Sequence, residues 1–99
     1  MIRHIVMWNF KEGFTPEQNL TNARRVKEEL ESLTALIPGV ISLEVITSTL
    51  PTSTRDLVLN SQFISEEALA DYQVHPEHVR VSQYVGMFVS NRVCIDYYE

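Results

Sequence analysis

The sequence predicts an α+β domain whose strands and helices follow one another as β-α-β-β-α-β. Four short segments are rich in β-branched and aromatic residues, which favour strands. Two segments between them carry helix-start signals and apolar residues spaced three or four positions apart. No repeat or low-complexity tract interrupts the 99 residues. The chain is therefore predicted to be one domain, residues 1–99, with the split βαβ pattern of a ferredoxin-like sandwich.

The first half of the chain is predicted to hold a strand, a helix and a second strand. Residues 2–10 are rich in large apolar side chains and form the first strand. Residues 15–18 begin the helix with an N-cap threonine, a proline at the first helical position and a capping-box glutamine. Residues 38–39, Pro-Gly, end the helix, and residues 40–47 form the second strand. The apolar stripe of the helix is predicted to consist of Leu20, Ala23, Val26, Leu30, Leu33 and Ile37.

The second half is predicted to add a strand, an interrupted helix and a last strand. Residues 56–63 form the third strand, after a polar loop. Ser65 caps the second helix, whose first turn holds two glutamates that the helix dipole favours. Pro76 interrupts this helix and starts a further helical turn. Residues 88–97 form the last strand, and one of its sides is predicted to carry Val89, Val93, Ile95 and Tyr97.

Charge limits the possible partners of the protein, and the cysteine content indicates its compartment. Eight basic and thirteen acidic side chains give a net charge of -5, which argues against nucleic acid or an anionic membrane as partner. No segment approaches the roughly 20 apolar residues of a membrane helix, and no secretion signal is recognised. The one cysteine, Cys94, excludes a disulfide within the chain. We expect a cytoplasmic protein in which Cys94 is a buried, inert thiol.

The side-chain pattern of the strands predicts a homodimer. Two helices can cover only one face of a four-stranded sheet, and the other face should then be polar. The first two predicted strands instead carry large apolar side chains on both sides. An uncovered face of this kind is an apolar patch that attracts a partner. We therefore predict that two copies pack sheet on sheet about a two-fold axis and close an α/β barrel.

The segment Tyr-Gln-Val-His-Pro-Glu-His-Val at residues 72–79 concentrates the chemistry of the chain. His78 is a candidate general base, because imidazole titrates close to neutral pH. Tyr72 is a candidate hydrogen-bond donor to a developing enolate oxygen. Structural interpretations stand beside these. His78 can bond a backbone carbonyl at the helix break, His75 can cap a helix, and Tyr72 can be a core residue.

Metal binding is a second interpretation of the same segment. His75 and His78 lie three residues apart with Glu77 between them, and His4 or a carboxylate can add a third ligand. The spacing is unspecific, and no Cys-x-x-Cys or His-Glu-x-x-His motif strengthens it. The three glycines form no phosphate-binding loop. We therefore expect no metal site and no organic cofactor.

Five segments of the chain resemble the stress-responsive A/B barrel domain (Dabb) family of dimeric α/β barrels. They are residues 2–6, 37–40, 56–63, 69–79 and 93–97. The Tyr-x-x-His-Pro-x-His segment is the most specific of them, and the resemblance covers nearly the whole chain. It implies the ferredoxin-like fold and the dimer. Some proteins of the family resemble plant polyketide cyclases, which perform a cofactor-free aldol cyclisation; by that resemblance Tyr72 and His78 form the catalytic pair and His4 lines their cavity.

The expected protein is a homodimer that binds a small apolar or carbonyl-containing ligand and is associated with stress. Its cavity is expected beside Tyr72, His75 and His78, with His4 and Trp8 also facing the ligand, although Trp8 can equally pack in the barrel. The alternative is a cofactor-free enzyme, a polyketide cyclase or aldol-type lyase, with His78 as general base and Tyr72 as hydrogen-bond donor. A cofactor-free monooxygenase is a third hypothesis, which rests on fold analogy alone.

Overall fold

The computed structural model describes all residues from 1 to 99 and contains a four-stranded antiparallel sheet with helices on one face. The strands are β1 (Ile2–Phe10), β2 (Val40–Ile46), β3 (Leu57–Phe63) and β4 (Val89–Tyr98). The helices are α1 (Pro16–Ser32), α2 (Glu66–Val74) and α3 (Pro76–Val85), and a short 3-10 turn (Leu33–Ala35) follows α1. The strand order is β2-β3-β1-β4, and every neighbouring pair is antiparallel. This arrangement confirms the predicted ferredoxin-like fold.

Helix α1 begins as predicted and ends earlier. The Thr15 hydroxyl accepts a hydrogen bond from the Gln18 backbone N–H, and the Thr15 N–H donates to Gln18 Oε1, so the capping box is complete. The predicted stripe to Ile37 is wrong as a continuous helix, because α1 stops at Ser32 and the chain tightens into the 3-10 turn. Leu20 also leaves the stripe: its side chain is 70% exposed, since it lies roughly 90° around the helix axis from the buried positions.

A β-bulge in β4 decides which residues face the helices. Asn91 has a φ of 54°, and β4 gains one residue on β1 between the pairs Met7–Val93 and Asn9–Ser90. Val89 therefore lies on the helix-covered face and is buried, whereas Val93 lies on the opposite face. The prediction that Val89 shares a side with Val93, Ile95 and Tyr97 is wrong for this reason.

The core lies between the sheet and the helices. From β1 it receives Ile2, His4, Val6 and Trp8. From β3 it receives Leu57, Leu59, Ser61 and Phe63. The helices contribute mainly Ala23, Val26, Leu30, Leu69, Tyr72, Val81 and Val85. This core buries one side of β1 and β3, whereas most of β4 is exposed.

No helix covers the other side of the sheet. We call the apolar part of this side the open face; it consists of Ile5, Met7, Ile46, Val58, Val93, Ile95 and Tyr97, which the strand register brings side by side. Ile46, Val93, Ile95 and Tyr97 expose between 37% and 56% of their surface. Toward one end the face becomes polar, where Arg3 bonds Asn60 and Glu99. No helix of the chain combines the length and the apolar character needed to cross a membrane.

The turn before β2 allows a test of how closely α2 packs against it. Gly39 has a φ of 85°, and a Cβ there would lie 2.7 Å from the Ala68 Cβ on α2. Gly13 also has a positive φ, 103°, but a Cβ there would meet no atom within 4 Å. We expect Gly39→Ala to lower the free energy of unfolding by about 2–4 kcal/mol and Gly13→Ala by only about 1 kcal/mol. Urea denaturation followed by circular dichroism measures both, and equal losses would contradict the close contact.

Candidate functional site

Tyr72 is the centre of a cluster of rings between α2 and the sheet. Ser65 accepts a hydrogen bond from the Ala68 N–H and so fixes the start of α2, which directs Tyr72 toward the sheet. The Tyr72 side chain is 0% exposed. Its ring centroid lies 4.9 Å from that of Phe63, 4.3 Å from that of His78 and 6.4 Å from that of His4. The structure thus brings together Tyr72, His78 and His4, three of the predicted site residues.

The break between α2 and α3 is built by His75 and Pro76. His75 has an extended backbone (ψ 134°), as expected for a residue before proline. Its Nδ1 accepts a hydrogen bond of 3.1 Å from the Glu77 N–H, so His75 is the N-cap of α3. The capping interpretation is confirmed. A role of His75 in ligand binding stays a prediction.

His78 is held at the helix break by one of its two ring nitrogens. Its Nδ1 lies 3.1 Å from the Gln73 carbonyl oxygen and donates to it, since a carbonyl can only accept. This bond fixes the tautomer and leaves Nε2 as the basic nitrogen. Burial lowers the pKa of His78 below its usual 6.5; the Gln73 carbonyl opposes this, and the nearby His4 and Arg92 add to it. The ring is therefore a neutral base at pH 7.

The Tyr72 hydroxyl is a buried donor with nothing to donate to. It is the one buried side-chain nitrogen or oxygen in the chain that has no hydrogen-bond partner. Burial raises the pKa of Tyr72 far above its usual 10, and the charge of Arg92 only partly offsets this, so the phenol keeps its proton. A buried hydroxyl without a partner costs about 1–3 kcal/mol of stability. The fold thus retains an unsatisfied donor beside the His78 ring.

His4 enters the cluster from β1, where it pairs across the sheet with Asp96 of β4. The His4 ring is buried, and its Nδ1 hydrogen-bonds the Asp96 carboxylate, which is 41% exposed. The Ser61 hydroxyl donates to the His4 carbonyl oxygen at 2.6 Å and holds this part of the strand. Trp8 lies on the same side of β1 but four residues away, roughly 13 Å along the strand, and packs in the core apart from the cluster.

Two neighbours of His4 were not expected from the sequence. The Cys94 Sγ lies 3.7 Å from His4 Nδ1 and 3.7 Å from Asp96 Oδ1. The prediction of a buried Cys94 is wrong: β4 is an edge strand and the residue is exposed. Partial desolvation of the sulfur and the charge of Asp96 raise the pKa of the thiol. The three residues also form the one group of three metal-ligating side chains, and this group contains neither His75 nor His78.

A cleft of about 270 Å³ lies between α2 and the end of β4. Its walls are Ile2, Glu66, Leu69, Ala70, Gln73, Asp96, Tyr97 and Tyr98. The expected cavity lined by Tyr72, His75 and His78 therefore does not match this cleft. The two are neighbours, however, because Leu69 and Gln73 flank Tyr72 on α2, and Asp96 bonds His4. The Tyr98 hydroxyl donates to Glu66 and ties β4 to the first turn of α2.

Comparison with known proteins assigns the family. The family model of the Stress Responsive A/B Barrel Domain matches residues 2–99. The chain belongs to this family. No curated protein matches the sequence of this Dabb protein significantly.

Solved structures with the same fold include proteins of unknown function and an enzyme. A dimeric protein of unknown function from Bacteroides fragilis is 29% identical, with a TM-score of 0.87 over 97% of this chain and 93% of that chain. A Dabb family protein from Mesorhizobium loti is 23% identical, with a TM-score of 0.77 over 99% and 95% of the two chains. A hydroxynitrile lyase from Passiflora edulis is 16% identical, with a TM-score of 0.78 over 97% and 90%.

Proposed function

We propose that this Dabb protein is a homodimer that binds a small, neutral, carbonyl-containing ligand beside Tyr72 and His78. The observation that carries the proposal is the unpartnered Tyr72 hydroxyl. A donor of this kind lowers the stability of the empty protein, and a carbonyl oxygen of a ligand would satisfy it. Phenylalanine would fill the same space without this loss of stability, which supports a role of the hydroxyl in ligand binding.

The surroundings of Tyr72 limit the ligand. The adjoining cleft, about 270 Å³, is at the small end of ligand sites, which are typically about 300–1,000 Å³. Glu66 and Asp96 line it and the chain carries a net charge of -5, so an anionic ligand would be repelled. Five of the eight residues that line the cleft are hydrophobic, which favours a molecule of low polarity. A β-dicarbonyl compound in its neutral enol form has these properties.

The open face supports the dimer. Seven apolar side chains lie together on a side of the sheet that no helix covers, and four of them are 37% to 56% exposed. A contiguous patch of this kind favours association, and a two-fold axis allows the same patch to serve both protomers. Similar structures are described as dimeric. Tyr72 and the adjoining cleft lie on the helix-covered side of the sheet, so this dimer would leave the cleft open.

A single charge should disrupt this dimer. Ile95 lies at the centre of β4 opposite Ile5, and Ile95→Glu would place a carboxylate twice in one apolar interface. We expect the wild type to sediment as a dimer at micromolar concentration and Ile95→Glu as a folded monomer. Leu20→Glu, at a position 70% exposed on α1, is the matched control and should remain dimeric. A monomeric wild type in analytical ultracentrifugation would overturn the dimer.

Replacement of Tyr72 separates a binding role from a packing role. We expect Tyr72→Phe to raise the free energy of unfolding by about 1 kcal/mol, because it removes the unsatisfied hydroxyl. The same variant should bind a β-triketone probe, heptane-2,4,6-trione, about tenfold more weakly in isothermal titration calorimetry. Tyr84→Phe, whose ring packs against Phe88 away from the site, is the control and should bind like the wild type. Equal binding by all three proteins would refute the proposed site.

The geometry of His78 favours a second candidate, a cofactor-free enzyme that acts on an enolisable carbonyl compound. In an aldol cyclisation the His78 Nε2 would take a proton from the carbon next to a carbonyl, and Tyr72 would donate to the enolate oxygen. The enolate carbon then bonds a second carbonyl carbon, whose oxygen receives the proton from His78. The fixed tautomer of His78 supports this. The existence of a hydroxynitrile lyase with this fold supports lyase chemistry by analogy.

Turnover of the same β-triketone tests the enzyme hypothesis. If His78 is the base, His78→Gln should abolish turnover while Arg80→Gln, on the exposed side of the same helix, should retain it. Because the pKa of His78 lies below 6.5, turnover should be constant through neutral pH and decline only below pH 6.5, as the imidazole gains its proton. Loss of the ultraviolet absorption of the enol follows the reaction. Binding without turnover would be consistent with the ligand-binding function and would refute the enzyme hypothesis.

A further inference from the structure

We propose that His4, Cys94 and Asp96 form a binding site for a zinc-like divalent transition-metal ion on the helix-covered side of the β1–β4 pair. The ligand atoms of the three side chains all lie within 4.8 Å of one another. The proposal is independent of the ligand-binding function and runs against the absence of metal expected from the sequence.

Regular strand geometry brings the three residues together on one side of the sheet. Cys94 and Asp96 are two residues apart on β4, so their side chains project from the same side of the sheet. His4 pairs directly with Asp96 across the strands, and Val6, two residues further along β1, pairs with Cys94. All three positions lie within continuous strand ladders, away from the bulge at Asn91. Because paired strands are rigid, the three side chains hold their relative positions when no metal is bound.

The donor set fits zinc. Imidazole nitrogen, thiolate sulfur and carboxylate oxygen are the three ligand types that Zn²⁺ binds in proteins. Bond lengths of about 2.0–2.3 Å in a tetrahedron separate neighbouring ligand atoms by roughly 3.3–3.6 Å. Cys94 Sγ already lies 3.7 Å from both His4 Nδ1 and Asp96 Oδ1. Hard cations such as Mg²⁺ would be disfavoured by the sulfur.

Metal binding would replace the hydrogen bond between His4 and Asp96. The ion takes the place of the proton between them, the imidazole carries its proton on Nε2, and the thiol of Cys94 loses its proton to solvent. The Asp96 carboxylate must move outward slightly, and its exposed position on an edge strand permits this. Three protein ligands leave a fourth position for water, next to the cleft that Asp96 lines.

The site remains accessible in the proposed dimer. His4, Cys94 and Asp96 lie on the side of the sheet opposite to the open face, to which Ile5 and Ile95 belong. The Cys94 and Asp96 side chains are exposed there. The metal site and the dimer can therefore be tested separately.

Cobalt and zinc titrations of the reduced, metal-free 99-residue chain test the site. We expect one Zn²⁺ per chain, measured by competition with a chromogenic chelator, and a thiolate-to-cobalt charge-transfer band in the near ultraviolet with Co²⁺. Since Cys94 is the only cysteine, this band can come from no other residue. Cys94→Ser should abolish the band. Cys94→Ser and Asp96→Asn should each weaken zinc binding by more than about a hundredfold, because even outer-shell partners of a metal matter about 10–100-fold.

Asp71→Asn is the matched control for charge. Asp71 lies exposed on α2 and has no part in the cluster, so its variant should bind zinc like the wild type. Circular dichroism verifies that each variant is folded; because Cys94 and Asp96 are exposed, we expect all of them to fold. The proposal is overturned if no charge-transfer band forms, if Cys94→Ser binds zinc like the wild type, or if Asp71→Asn weakens binding as much as Asp96→Asn.

Discussion

A sheet has two faces, and in this chain the helices cover one of them. All three helices lie on one side of the four strands, and their buried residues close the core there. Alternation of side chains along the strands then decides the rest. It places His4 and Asp96 on the side of the helices, where His4 contacts Tyr72 and bonds Asp96, and it places Ile5 and Ile95 on the uncovered side. The proposed ligand site and the proposed dimer interface thus follow from the same constraint and lie on opposite sides of the sheet.

The helix break at Pro76 positions the side chains of the proposed site. In an uninterrupted helix the His78 side chain would point away from Tyr72. Because the backbone of His75 is extended, α3 starts in a new direction and His78 packs against Tyr72. The carbonyl of Gln73 then fixes the imidazole. The Tyr72 hydroxyl beside it is buried without a partner, which lowers the stability of the fold. Unsatisfied polar groups of this kind concentrate where function competes with stability.

Local sequence signals predicted the helices and strands, whereas pairing between distant residues decided which side chains meet. The capping box at Thr15 and the proline at position 76 act within a few residues, so the sequence revealed both. The bulge at Asn91 changed which side of β4 faces the helices, and nothing in the local pattern indicated it. Cys94 could not be joined with His4 from sequence, because they lie 90 residues apart and meet only through the pairing of β1 with β4.

Isotope-filtered nuclear Overhauser spectroscopy tests the central claim most directly. A sample mixed from ¹³C-labelled and unlabelled chains reports only contacts between protomers. If two sheets pack through their uncovered sides, methyl groups of Ile5, Met7, Val93 and Ile95 will give cross-peaks to protons of the partner, and those of Val26 and Leu30 in the core will not. Cross-peaks from the helical side alone, or none at all, would contradict the account.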